Sequence, residues 1–199
     1  MAEPVHLTYE RLPVGSAGKI SGGWWGVVTL IVTEACLFGY LLFCFFYLNS
    51  QSEQEWPPDG LPGLLIPGIN TVILLSSSVC VWVAERGIHQ DRAAWTILGL
   101  VAALVLGTCF VAIQLIEWSN KPYGMTTDLY GSLYFTITGF HMAHVVIGLA
   151  VLLLLLVWAG LGYFDSKRYA AMTIGGAYWH FVDVVWLFVF SSLYLFPYI

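Results

Sequence analysis

Five ionisable side chains of this 199-residue chain fall inside long apolar stretches: Glu34, His141, His144, His180 and Asp183. An ionisable group in hydrocarbon is costly, so each is a candidate for function. His141 and His144 are three residues apart, as are His180 and Asp183. On a helix, such pairs share a face. Two imidazoles opposed to a His–Asp pair on the following helix have the chemistry of an interhelical metal site or a bis-histidine haem site. The same residues can serve instead as interhelical hydrogen bonds, with Asp183 orienting an imidazole. A di-metal centre needs more converging carboxylates, and a catalytic zinc needs an open coordination position. Neither is apparent, nor is a nucleophile–base pair, a phosphate loop or a dinucleotide fingerprint.

Glu34 stands among Leu30, Ile31, Leu37, Phe38 and Leu41, an apolar turn on each side. Its functional reading is proton exchange, or contact with a lipid head or interior water. Its structural reading is a carboxylic acid bonded to a neighbouring helix. Asn70, Gln114 and Glu117 gather near the opposite ends of their stretches from Glu85 and form a second, outer polar layer.

The elements that must position these groups follow from composition. Hydrophobic residues make up 59% of the chain and charged residues 10%. A soluble domain is about a quarter charged, so the chain has too little charge to cover a surface facing water. Crossing ~30 Å of hydrocarbon takes about 20 helical residues. Five stretches qualify: Trp24–Leu48, Pro67–Glu85, Trp95–Trp118, Tyr130–Trp158 and Ile174–Tyr198. The expected fold class is all-α: a polytopic membrane protein, a bundle of five transmembrane helices over 24–198 behind a polar tail at 1–23. At about 1.5 Å per residue, Glu34, Asp183 and the histidines of the fourth span fall near the midplane.

Lys and Arg fix the expected orientation. Arg11 and Lys19 precede the first span, Arg86 and Arg92 lie in the second loop, and Lys167 and Arg168 in the fourth. The opposite side has Lys121 alone, with Glu53, Glu55 and Asp59 in the first loop. By the positive-inside rule the N-terminus is inside and the C-terminus outside. Trp24, Trp25, Trp56, Trp95, Trp118, Tyr130, Trp158 and Tyr198 at span ends read as interfacial anchors. Cys36, Cys44, Cys80 and Cys109 lie in apolar stretches without a C-x-x-C pair and read as small core hydrophobes. The net charge of −5 argues against nucleic acid as a partner.

Several strings resemble one family. Y-W-H-F-V-D-V-V-W-L-F-V-F from Tyr178 and Y-G-S-L-Y-F-T-I-T-G-F-H-M-A-H-V-V-I-G from Tyr130 are similar to signatures of subunit III of the haem–copper oxidases. T-E-A-C-L-F-G from Thr33 resembles the family's S-E-x-x-F-F stretch, placing Glu34 on its membrane glutamate. P-G-I-N-T-V-I-L-L-S-S from Pro67 resembles L-N-T-x-x-L-L-S-S, and F-V-A-I-Q-L-I-E-W from Phe110 resembles F-x-x-x-Q-x-x-E-Y, placing Gln114 and Glu117. All five spans are covered in register. The chain is similar to the short, five-helix bacterial form of the cytochrome c oxidase branch, without the two additional N-terminal helices of seven-helix members. A second departure is Thr173, near the place where the family commonly has an acidic residue.

The resemblance implies a metal-free supporting subunit of a proton-pumping terminal oxidase, beside subunit I, that binds phospholipid and sustains proton uptake and turnover stability. Haems and copper are then expected in partner subunits, and no residue of this chain is catalytic. Glu34, His141, His144, His180 and Asp183 become proton- or lipid-related candidates whose family role is packing and hydrogen bonding. Asn70, Gln114 and Glu117 become structural polar residues. Implied partners are oxidase subunits I and II, membrane phospholipids and a small subunit IV in place of the two absent helices. The implied location is the bacterial inner membrane. Subunit III of a quinol oxidase and an accessory chain of a nitric oxide reductase are alternatives. A different class is an autonomous b-type haem protein using His144 and His180 as axial ligands.

Overall fold

The computed structural model of the chain describes residues 22–53, 56–58, 60–166 and 168–199. Most of the polar tail expected at 1–23 lies outside them, as do Glu55, Asp59 and Lys167 of the loop charges. The described residues form five long α-helices and no strand: α1 (Gly22–Gln51), α2 (Leu65–His89), α3 (Ala93–Ser119), α4 (Leu129–Gly160) and α5 (Ala170–Phe190). All five are long and apolar enough to cross a membrane, so the fold is the all-α bundle that the apolar stretches predict. The helices run up to four residues beyond those stretches. Hydropathy falls at the first charge, but helical backbone continues past Glu85 to His89, with the Arg86 guanidinium stacked 4.3 Å from the centre of the Trp82 ring. The last stretch is not one regular helix: a π-helical turn at Ser191–Leu195 and a 3-10 turn at Phe196–Tyr198 follow α5.

Helix α5 packs against α1, α2 and α4, and α2 packs most extensively on α3. The reason is visible at Trp179, which is fully buried. Its six-membered ring lies where a Cβ on either Gly107 of α3 or Gly148 of α4 would come within 2.8 Å. Its Nε1–H donates to Ser77 Oγ of α2 at 2.9 Å. Seven residues on, buried Trp186 donates from Nε1 to Thr71 Oγ1 of α2, also at 2.9 Å. A buried indole N–H needs an acceptor, and here each acceptor lies on the adjacent helix. Helix α4 starts where Asp128 accepts from Gly131 N at 2.6 Å, an N-cap bond that satisfies one of the open N–H groups of its first turn.

Two sequence expectations need correction. Cys36 and Cys109 are exposed on outward helix faces rather than set in the core, while Cys44 and Cys80 are half-buried. Lipid is as apolar as a protein interior, so an apolar residue type does not reveal which way it faces. Tyr130 is not an interfacial anchor either. It is buried, with its ring centre 5.2 Å from that of Trp56 and 5.5 Å from that of Tyr123.

Substituting Gly148→Val should force the Trp179 ring to move and cost about 1–3 kcal/mol, as overpacking does. Gly139→Ala, on the same helix but with no atom within 4 Å of the added Cβ, should be neutral or slightly stabilising. Denaturant titration in detergent, followed by circular dichroism, separates the two.

Candidate functional site

The inward face of α1 is a stripe at three- and four-residue spacing: Val27, Ile31, Glu34, Phe38, Leu41 and Phe45. Glu34 is its one ionisable member and sits near the middle of the helix. Opposite it stands His144 of α4, with Nε2 3.0 Å from Glu34 Oε2. The other ring nitrogen, Nδ1, lies 2.7 Å from the Phe140 carbonyl. A carbonyl can only accept, so Nδ1 carries a proton and points it along α4. The Nε2···Oε2 contact then needs one proton, carried by either group. Phe38 packs edge-on to the His144 ring at 5.2 Å between centres.

His141 turns elsewhere. It is buried, and its Nε2–H donates to the Val182 carbonyl of α5 at 3.2 Å. Rings of Trp186, Phe110 and Phe38 surround it at 4.8, 5.9 and 6.5 Å between centres. His180 and Asp183 face a third direction, toward Ser78 of α2. The Ser78 hydroxyl gives its single proton to Asp183 Oδ2 in a short hydrogen bond, so its oxygen accepts from His180 Nδ1 at 2.8 Å. Asp183 is buried, and its Oδ1 has no partner among the described residues.

This overturns the expected opposition of the two i, i+3 pairs. Three residues along a helix turn the side chain by about 60°, and in a bundle that suffices to address different neighbours. His144 meets α1, His141 meets α5, and His180 with Asp183 meets α2. Among the described residues no three His, Cys, Asp or Glu side chains converge as a metal-ligand set.

The second polar layer lies towards the other end of α3. Asn70 Nδ2 donates to the Phe110 carbonyl at 3.3 Å and to Gln114 Oε1 at 3.4 Å, tying α2 to α3. Glu117 stands apart from that pair. Its Oε1 accepts from Tyr194 Oη at 2.8 Å and Tyr134 Oη at 3.4 Å and pairs with Lys121 Nζ at 3.0 Å. Lys121 also lies over the Tyr134 and Tyr194 rings, 5.1 and 5.5 Å from their centres. Sequence reasoning missed Tyr134, Tyr194 and Ser78 as partners. Tyr134 could have been found, since it shares a face with Thr138 and His141 on α4. Tyr194 could not, because it lies on the π-helical turn, where the helical register shifts. Thr173 donates to Glu85 Oε1 at 2.8 Å, so this departure from the family pattern has a local partner on α2.

Chemically, the arrangement is a set of carboxyls, each engaged by a hydroxyl, an imidazole or an ammonium on another segment. Such groups can hold or exchange a proton within their pair, and each also locks one helix to another. Removing either member of the α1–α4 pair strands the other, so Glu34→Ala and His144→Ala should each cost about 1–3 kcal/mol. Both report the same contact, and the double variant should therefore cost clearly less than the sum. Strictly additive losses in detergent unfolding would show that the two side chains do not interact.

Comparison with known proteins gives a consistent picture. A family model described as cytochrome c oxidase subunit III matches residues 17–198. Cytochrome c oxidase subunit 3 of Petromyzon marinus is 36% identical over 177 residues, covering 85% of this chain and 68% of that protein. The protein of the same name from Marchantia polymorpha is 36% identical over 177 residues, with 85% and 67% covered. That from Locusta migratoria is 34% identical over 177 residues, again with 85% and 67% covered.

Proposed function

The chain belongs to the cytochrome c oxidase subunit III family, and from that premise we propose that it is a metal-free supporting chain of a proton-pumping terminal oxidase. It is a multi-pass membrane protein that associates with other oxidase subunits. In this reading its neighbours are subunits I and II in a bacterial inner membrane. Its contribution is to bind phospholipid and keep proton uptake and turnover sustained, while haems and copper reside in the partner subunits.

The observation that carries the metal-free reading is the division of the candidate ligands over three helix interfaces. His144 spends both ring nitrogens, one on Phe140 and one on Glu34. An axial haem ligand needs a free nitrogen lone pair, and His144 offers one only by giving up Glu34 or its carbonyl bond. His141 donates its Nε2 proton to backbone. Each imidazole therefore supports the bundle, and a supporting bundle suits a chain that flanks a catalytic subunit. Purified alone, the chain should show no Soret absorption and no stoichiometric copper, iron or zinc. A b-type haem lost on His180→Ala would overturn this reading. In the intact complex, Glu34→Gln should keep most of the initial oxygen consumption, with any defect emerging over many turnovers. Loss of initial oxygen reduction would place Glu34 in the chemistry instead.

The proposed orientation has the N-terminus cytoplasmic and the C-terminus outside, supported by the distribution of Lys and Arg. Ser52 follows α1, and Ser166 lies in the α4–α5 connection, held by Asp91 through its backbone N–H at 2.8 Å. On intact cells a membrane-impermeant thiol reagent should label S52C and not S166C; the reverse pattern would invert the topology.

A further inference from the structure

At the end of the bundle where α2 turns into α3, the chain forms a groove of about 170 Å³ lined by Val83, Arg86, Gly87, Gln90, Arg92 and Trp95. From its shape and charge we propose that this groove holds the phosphate of an anionic phospholipid, with Arg86 and Arg92 as its two cationic walls. The proposal rests on the membrane-subunit reading above and goes beyond it by naming a site and a ligand class.

Charge is the first support. Both arginines are exposed, and among the described residues neither is in an ion pair. The two nearest carboxylates in sequence are bonded elsewhere and form no ion pair with either arginine. Glu85 accepts from Thr173 of α5, and Asp91 accepts from the Ser166 backbone in the α4–α5 connection. Among the described residues, both guanidinium groups that line the groove are therefore left without an ion-pair partner. Guanidinium is well suited to phosphate oxygens because its planar fork can bind two at once. Basic pockets between transmembrane helices at a charged membrane end are characteristic lipid-headgroup sites.

Shape is the second. Gly87 forms the floor, where an added Cβ would come within 2.8 Å of both Thr96 N and Thr96 Oγ1. The backbone here is tight: Arg92 N donates to the Gly87 carbonyl at 2.9 Å, and Asp91 takes a left-handed φ of 52°. This hairpin brings Arg92 back beside Arg86.

Amphipathic order is the third. On the bundle side of the two arginines, Trp82 and Val79 of α2 and Trp95 and Leu98 of α3 are exposed. Arg86 lies over the Trp82 ring. Tryptophan at headgroup level with aliphatic surface beneath matches a lipid that places its phosphate at the arginines and its acyl chains along the helices. A free phosphate would use the arginines but not the apolar surface.

The test uses the full chain, delipidated in mild detergent and titrated with phosphatidylglycerol or phosphatidylcholine while native mass spectrometry counts retained lipids. The wild type should hold phosphatidylglycerol in preference, and R86Q/R92Q should weaken that retention by at least about tenfold. R168Q, at the same end of the bundle, should leave it unchanged. Equal retention by R86Q/R92Q, or equal loss in R168Q, overturns the site. Displacement of the lipid by millimolar inorganic phosphate would make a soluble anion the ligand and overturn the lipid assignment. Should R86Q/R92Q fail to fold, phenylglyoxal labelling of the wild type decides. Arg86 and Arg92 should be protected in phosphatidylglycerol vesicles and modified in phosphatidylcholine vesicles, and equal labelling overturns the proposal. Co-purification of subunits I and II with the same variants is scored separately, so a failure of this site and a failure of the oxidase reading give different results.

Discussion

Two indole N–H groups on one helix set the geometry on which the rest of the bundle depends. Trp179 and Trp186 are buried, seven residues apart, and each reaches a hydroxyl on α2 at 2.9 Å. In hydrocarbon an unsatisfied N–H costs several kcal/mol, so α5 and α2 are held at the one register that serves both bonds. Closeness on the other side is set by Gly107 and Gly148, whose missing side chains make room for the Trp179 ring. Shape and hydrogen bonding thus act on the same residue. Apolar burial alone could not select this arrangement, since lipid satisfies apolar side chains as well as protein does.

The polar residues of both layers repeat that logic at the other interfaces. α1 is the least buried of the five helices and presents a single stripe to its neighbours. Within that stripe Glu34 finds His144, a directional polar contact among apolar ones. Ser78 is shared by Asp183 and His180 across α2 and α5, Asn70 reaches α3, and Glu117 gathers two tyrosines and a lysine. The α1–α4, α2–α3, α2–α5, α3–α4 and α4–α5 interfaces each carry at least one polar key. A chain that must keep a fixed shape beside a catalytic subunit gains from such keys, because each disfavours sliding or rotation of a helix by one turn.

The same placement separates the two ends of the molecule by chemistry. One end has the Glu117–Lys121 ion pair, with Lys121 over the Tyr134 and Tyr194 rings. At the other, among the described residues, Arg168 is paired to Asp165 at 2.7 Å while Arg86 and Arg92 are in no ion pair. A membrane subunit can leave guanidinium groups unpaired where anionic headgroups or partner chains supply the partner.

The sequence by itself determined the class of the protein. The lack of charge and the five long apolar stretches required membrane-crossing helices, and the strings around Glu34, Gln114, His144 and Asp183 carried the family. Those features are local, since hydropathy and motif order need no knowledge of what packs on what. Only the tertiary structure decided the partners. His141 and His144 share a helix face in sequence terms, yet they serve different neighbours, because a 60° turn in a five-helix bundle crosses from one interface to the next. Cys36 and Cys109 read as core and proved exposed, since an outward face in lipid carries no polar signature. Tyr194 joins Glu117 only because a π-helical turn shifts the register after Phe190. Which polar group meets which is set by the distances between helices, and those arise from Trp179 seated between two glycines that lie far from it in the chain.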